Sequence, residues 1–162
     1  MNTGNKTQDA RSIRELKGVN PHLCAMVRDL STYFKIVVTD GLRTVEEQAN
    51  YVLMGKSKTL NSKHLTGDAV DIMRFDNGKP HWELPLYAEM AVYVRTWSIR
   101  NQYPIRWGGS WHTLTNVYDH NGVVTVEDMM KLVDEYTKQC RKARKRPLID
   151  GPHFETLGVS PQ

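Results

Sequence analysis

The run Asp68-Ala69-Val70-Asp71-Ile72-Met73 restricts what this chain can become more than any other stretch. Taken with period two, it puts Ala69, Asp71 and Met73 on one face and Asp68, Val70 and Ile72 on the other, the pattern of a strand. A single carboxylate in such a run reads by itself as a strand-edge charge. Gly67, just before it, lets the chain turn out of the polar stretch 56–63, which reads as a loop.

The neighbouring segments alternate between strand and helix signals. Residues 34–39 are rich in β-branched side chains and run into Asp40-Gly41, a strand entering a turn. Ile105-Arg106-Trp107 is a short strand before Gly108-Gly109, and 148–157 reads as a turn and a final strand. Asn77-Gly78 is a turn signal. Residues 1–11 read as a frayed polar start. From 12 to 33 the apolar spacing is helical, with a break at Gly18-Val19-Asn20-Pro21, so two helices and a turn are expected. Thr44-Val45-Glu46-Glu47 matches a capping box, predicting a helix that runs to Met54 and stops at Gly55. A third helical pattern covers 84–99, with Pro85 in its first turn. A fourth covers 125–146, carries a basic end and is stopped by Pro147.

With 162 residues the chain is long enough for one domain that buries its own core without disulfides. Its two cysteines, Cys24 and Cys140, are too far apart for a metal-binding pair and read as reduced thiols. Residues 1–20 lack the apolar core of a signal peptide, and no apolar run reaches membrane-spanning length. A cytoplasmic protein is the expectation. The net charge of +4 and sequence pI of about 9.1 favour polyanionic partners without choosing among nucleic acid, anionic lipid and acidic wall polymer.

The stretch 62–71 is far richer in chemically active groups than its surroundings. His64 on the loop and Asp71 on the following strand can point at one spot. His153, near the far end in Asp150-Gly151-Pro152-His153-Phe154-Glu155, supplies a second imidazole. Two histidines and a carboxylate suit zinc and leave a fourth position for water, the open arrangement of a catalytic site. Asp150, three residues before His153 across a Gly-Pro turn, is placed to take a proton from that water and return it to a leaving amine, with Glu155 as the alternative base. Arg43 offers a permanent cation for the oxyanion. Each residue alone has a plainer reading: His64 as a structural histidine, Asp150 as a turn residue, Arg43 as an ion-pair partner of Glu46 or Glu47. His112 and His120 are rival ligands that read as surface or cleft residues, whereas His22 and His81 carry no signal. Trp107 and Trp111 could wall a cleft, although tryptophan at a strand end more often belongs to the core.

The segments Gly41-Leu42-Arg43-Thr44 with Glu47-Gln48, Ser62-x-His64-x-x-Gly67-x-Ala69-x-Asp71, and Asp150-Gly151-Pro152-His153-Phe154-Glu155 occur in that order. Together they resemble the zinc peptidases of the D-alanyl-D-alanine carboxypeptidase (VanY-like) superfamily, and above all phage L-alanyl-D-glutamate endopeptidases that serve as endolysins. The resemblance implies one Zn2+ on His64, Asp71 and His153, Asp150 as general base and Arg43 as transition-state support. It implies an α+β fold of Hedgehog/DD-peptidase-like type, a small antiparallel sheet with flanking helices, in a single domain over 1–162. The implied substrate is the peptide stem of peptidoglycan. Two departures accompany it. Asp150 stands where the carboxypeptidase branch has glutamate, and 111–147, which holds the basic helix, is a longer insertion than expected before the last strand.

That helix reads either as a solvated cap or as a cationic arm for anionic wall or membrane-surface polymers. The expectation is a monomer that stays in the host cytoplasm until it is released to the cell wall, with no specific nucleic-acid partner, since no nucleic-acid motif is present. The competing functions are a D,D- or L,D-carboxypeptidase on the same scaffold and a non-catalytic, zinc-stabilised wall-binding module.

Overall fold

The computed structural model describes residues 2–117 and 121–157. Their elements follow in the order α1 (Lys6–Glu15), α2 (Pro21–Leu30), β1 (Ile36–Asp40), α3 (Val45–Leu53), β2 (Ala69–Asp76), β3 (Lys79–His81), α4 (Leu84–Asn101), β4 (Ile105–Trp107), β5 (His112–Thr113), α5 (Val126–Lys142) and β6 (His153–Thr156). The sheet runs β1-β2-β6-β4-β5, with β3 also paired to β2, and every pairing is antiparallel. The last strand therefore sits in the middle of the sheet, between β2 and β4. This is an α+β fold with a small antiparallel sheet.

One face of that sheet is the main core. Val38, Ile72, Trp107 and Phe154 point into it and meet Leu23 and Met26 of α2 and Met90 and Val94 of α4. On the opposite face Val37, Met73 and Phe75 form a small apolar group of their own. The rest of that face, where Asp71 lies, is left for polar side chains. The Asn77-Gly78 signal becomes a two-residue hairpin turn, with φ of 50° and 76°, which are the values a type I′ turn needs. It adds β3, a polar strand with no apolar alternation to announce it.

Two expectations are corrected. Residues 6–11 are helical rather than a frayed start, because the Asn5 side chain accepts from the N–H groups of Thr7 and Gln8 and α1 lies along the edge strand β1. There Ser12 Oγ accepts from the Val38 N–H at 3.0 Å, and Arg11 donates to the Thr39 carbonyl at 2.9 Å. Polar side chains thus satisfy edge groups that would otherwise stay open. The second correction concerns α5, which stops at Lys142 instead of Arg146. Arg144 turns left-handed at φ 55°, and the N–H groups of Arg144 and Lys145 bond back to Arg141 and Cys140, a Schellman closure. Arg144, Lys145 and Arg146 therefore form an exposed tail after the helix. Cys24 and Cys140 are free thiols, each half-buried.

Gly67 joins these layers. It ends the 3-10 turn Lys63–Thr66 at φ 74°, its carbonyl accepts from Asn20 N–H at 2.9 Å, and a Cβ there would run into the Gly18 carbonyl oxygen. Gly67→Ala should therefore cost about 2 kcal/mol or more and lower Tm in thermal unfolding by roughly 5 °C. Gly78→Ala, at a similar φ but facing open space, should cost only about 1 kcal/mol.

Candidate metal centre

Sheet register assembles the site. Asp71 of β2 lies opposite His153 of β6 and, across a bulge, opposite Asp40 of β1. Two residues along β6, on the same face, Glu155 lies opposite Arg106 of β4. His64 arrives from outside the sheet on the turn Lys63–Thr66, where Ser62 caps the start and Gly67 the end. The Arg43 N–H donates to the His64 carbonyl at 2.9 Å, fixing that turn beside the start of α3.

The three side chains expected as ligands meet. His64, Asp71 and His153 each offer a ligand atom within 4.8 Å of the others. His64 Nδ1 lies 2.8 Å from the Gly41 carbonyl, which can only accept, so Nδ1 carries the proton and Nε2 keeps its lone pair. That Nε2 is buried and without a hydrogen-bond partner, 3.3 Å from Asp71 Oδ1. His153 Nδ1 approaches the same oxygen at 3.0 Å, and its Nε2 lies 3.1 Å from Glu155 Oε2. A buried imidazole nitrogen lacking a partner is costly unless something accepts its lone pair. A divalent cation between two imidazoles and a carboxylate does so, and this donor set suits zinc.

The charges respond strongly to one another. Burial raises the Asp71 carboxyl, but the hydrogen bond from His153 and the nearby His64 ring outweigh it and hold the group well below the usual carboxylate range. Burial opposes a charge on His153, yet Asp71 and Glu155 carry its ring up to about 10. Asp150 moves the other way: burial first, then the charge on Asp71, push its carboxyl up to about 6.

Asp150 and Arg43 share the cleft with these three, a cavity of about 470 Å³. The Asp150 N–H donates to the Gly108 carbonyl at 3.0 Å and its own carbonyl accepts from His153 N–H at 3.2 Å. A Cβ on Gly108 would strike both residues, so a glycine is required where this turn crosses β4. Arg43 is buried. Its Nε and Nη2 donate to Asp40 and its Nη1 to Gln48, Nη2 stands 3.8 Å from Asp71 Oδ2, and the Tyr51 ring lies 4.2 Å from its Cζ. Its ion-pair partners are Asp40 and Asp71 rather than Glu46 or Glu47. Like charges facing each other across two strands repel, and Arg43 offsets that for Asp40 and Asp71.

The model of the phage L-alanyl-D-glutamate peptidase family matches residues 6–133. The chain belongs to that family. The match takes in Arg43, His64 and Asp71 and ends before Asp150 and His153. Among phage L-alanyl-D-glutamate peptidases, the one from Escherichia phage T5 is 27% identical over 123 residues, 67% of this chain and 83% of the relative. Among solved structures, the L-Ala D-Glu endopeptidase ChiX of Serratia marcescens superposes with a TM-score of 0.63 at 32% identity, covering 91% of this chain and 86% of that one. This chain is thus a peptidase, like the rest of the family.

Within this peptidase the other candidates separate cleanly. His112 bonds Ser110 through Nδ1 at 3.1 Å and is outside the cluster; His120 lies outside the described residues. His22 stacks on Tyr103 at 4.0 Å. Trp107 is fully buried core, its Nε1 donating to the Gly151 carbonyl. Trp111 instead walls the cleft, with its ring centroid 5.3 Å from that of His153. Asp40 and Tyr51 line the cleft and Gln48 braces Arg43 behind it, roles that the sequence reading did not assign. Gln48 is completely buried on α3, and a glutamine inside a helix's inward stripe was the available signal.

Metal binding should follow pH with a definite sign. A proton on His153 Nδ1 competes with the metal, and with its ring at about 10 that proton is present throughout the neutral range. Zinc affinity should therefore rise about tenfold per pH unit from pH 6 to 8, read by competition with a chromogenic chelator. Zinc should also raise Tm, a response that His64→Ala should lose. Affinity independent of pH would contradict this assignment.

Proposed function

We propose that this peptidase cuts the bond between L-alanine and D-glutamate in the peptide stem of peptidoglycan, with one zinc ion held by His64, Asp71 and His153. The observation that carries the reading is Asp150, a half-buried carboxyl with a raised pKa in the same cleft as an open His-Asp-His donor set. The family match and the likeness to ChiX support the choice of bond. Lys56, Lys58 and Lys63 also line the cleft and suit an acidic stem.

Zinc, when bound, supplies Lewis-acid polarisation of the scissile carbonyl and a lowered pKa for water. The chain's own residues do the rest. Asp150 accepts the proton of the attacking water and hands it to the departing amine of D-glutamate, so one carboxylate serves as base and then as acid. Arg43 holds Asp71 in place and sets a fixed positive charge in the cleft, where negative charge develops on the carbonyl oxygen. Trp111 excludes solvent on the side of His153.

In this reading the chain acts as a monomeric lytic enzyme and forms one catalytic unit over 1–162, with 111–147 an insertion whose helix α5 packs on α4. It waits in the host cytoplasm and reaches the wall once the membrane is opened. No helix among the described residues is long and apolar enough to cross a membrane. The exposed tail Arg144, Lys145 and Arg146, with Lys142 before it, serves as a cationic arm for anionic wall polymers.

Asp150→Asn should keep zinc affinity and lower kcat by about 10²–10⁴. The assay is release of fragments from Gram-negative wall, whose masses distinguish cleavage after L-alanine from removal of a terminal D-alanine. Fragments lacking only a terminal residue would replace the endopeptidase by a carboxypeptidase. Neutralising Lys142, Arg144, Lys145 and Arg146 together should weaken wall binding and lysis while leaving hydrolysis of a soluble stem peptide intact. Equal loss of both activities would refute the arm.

A further inference from the structure

Glu155 is not free to act as a base. It is buried, with 7% of its surface exposed. Its Oε2 lies 3.1 Å from His153 Nε2 and its Oε1 3.2 Å from Arg106 Nη1. The pairing comes from the sheet: His153 and Glu155 are alternate residues on one face of β6, and Arg106 faces Glu155 across β4. On the other side of Glu155 stands Ala69 of β2, whose methyl leaves room for the carboxylate. Trp107 and Phe154, one residue out of phase, face the core instead. The proposed mechanism uses neither Glu155 nor Arg106.

We propose that Glu155, braced by Arg106, is a positioning residue that holds His153 with its proton on Nε2, so that Nδ1 presents its lone pair to the metal. An imidazole has two nitrogens and one lone pair to offer when neutral, and the partner of one nitrogen decides what the other can do. A carboxylate on Nε2 accepts its proton in a hydrogen bond, orients the ring and makes Nδ1 more basic. Arg106 occupies the second carboxylate oxygen, which prevents Glu155 from rotating away and keeps its charge compensated at a buried position. The donors reaching the centre are then His64 through Nε2, with its Nδ1–H on the Gly41 carbonyl, and His153 through Nδ1, with its Nε2–H on Glu155. Each histidine has its tautomer set by a different kind of acceptor.

The inference rests on His153 being a metal ligand, and the test separates the two claims. Zinc affinity is measured by chelator competition on the full chain, independently of hydrolysis. His153→Ala should abolish tight binding, and Glu155→Ala should weaken it by about 10–100-fold. Glu155→Gln, whose carbonyl can still accept from Nε2, should recover most of that loss. Arg106→Met should weaken zinc by a smaller factor, and by none in the Glu155→Ala background. Nitrogen-15 NMR of the zinc-loaded wild type needs no variant: the His153 ring should show a protonated Nε2 and a metal-shifted Nδ1. A metal-shifted Nε2, or unchanged affinity in Glu155→Ala while His153→Ala loses it, overturns the inference alone. Unchanged affinity in both overturns the metal assignment with it.

Discussion

The site depends on the register between β2 and its two neighbours. Asp71 can reach His153 on one side and Asp40 with Arg43 on the other only because these residues face one another across paired strands. A slip of one residue in β2 would turn Asp71 into the core and bring Val70 or Ile72 to the cleft. Burial of Val70 and Ile72 against α2 and α4 forbids that slip. The hydrophobic core thereby sets the position of a cleft carboxylate that lies on the opposite face of the sheet.

The polar face survives because its charges are arranged in alternation. From β1 to β4 the order is Asp40, Asp71, His153, Glu155 and Arg106, with Arg43 inserted between the first two and His64 above the second. Each acid is flanked by a cation or an imidazole, so no buried carboxylate stands alone. Asp150 also has His153, His64 and Arg43 nearby, but burial and the charge on Asp71 outweigh them. It lies in the cleft with its pKa raised to about 6, the property expected of a group that must exchange protons near neutrality.

The metal-site candidates were legible in the sequence because their chemistry is dense and rare: an imidazole, a glycine turn and a carboxylate on a strand, then a second imidazole behind an Asp-Gly-Pro turn. Partnerships across strands were not. Arg106 and Glu155 are far apart in the chain, and their contact exists only through the antiparallel pairing of β4 with β6, which local periodicity cannot reveal. The plainer reading of Arg43 could offer it only nearby glutamates for the same reason, whereas the bulge in β1 brings Asp40 and Asp71 to it. Residues 6–11 of α1 escaped because hydrophobic spacing looks for an apolar stripe. The work of this helix is done by Asn5, Arg11 and Ser12, which close a helix end and a sheet edge with hydrogen bonds. The end of α5 was misjudged by four residues because Pro147 was the only stop signal considered, and an arginine is an unusual left-handed terminator.

Every part of this account requires His64, Asp71 and His153 to hold one ion between them. The most direct measurement is anomalous diffraction at the zinc edge from crystals of the zinc-loaded protein. The account predicts a single peak about 2.0–2.2 Å from His64 Nε2, His153 Nδ1 and the Asp71 carboxylate, on the cleft side that Asp150 faces. A peak on other side chains, or none at this cluster with zinc in excess, would contradict it.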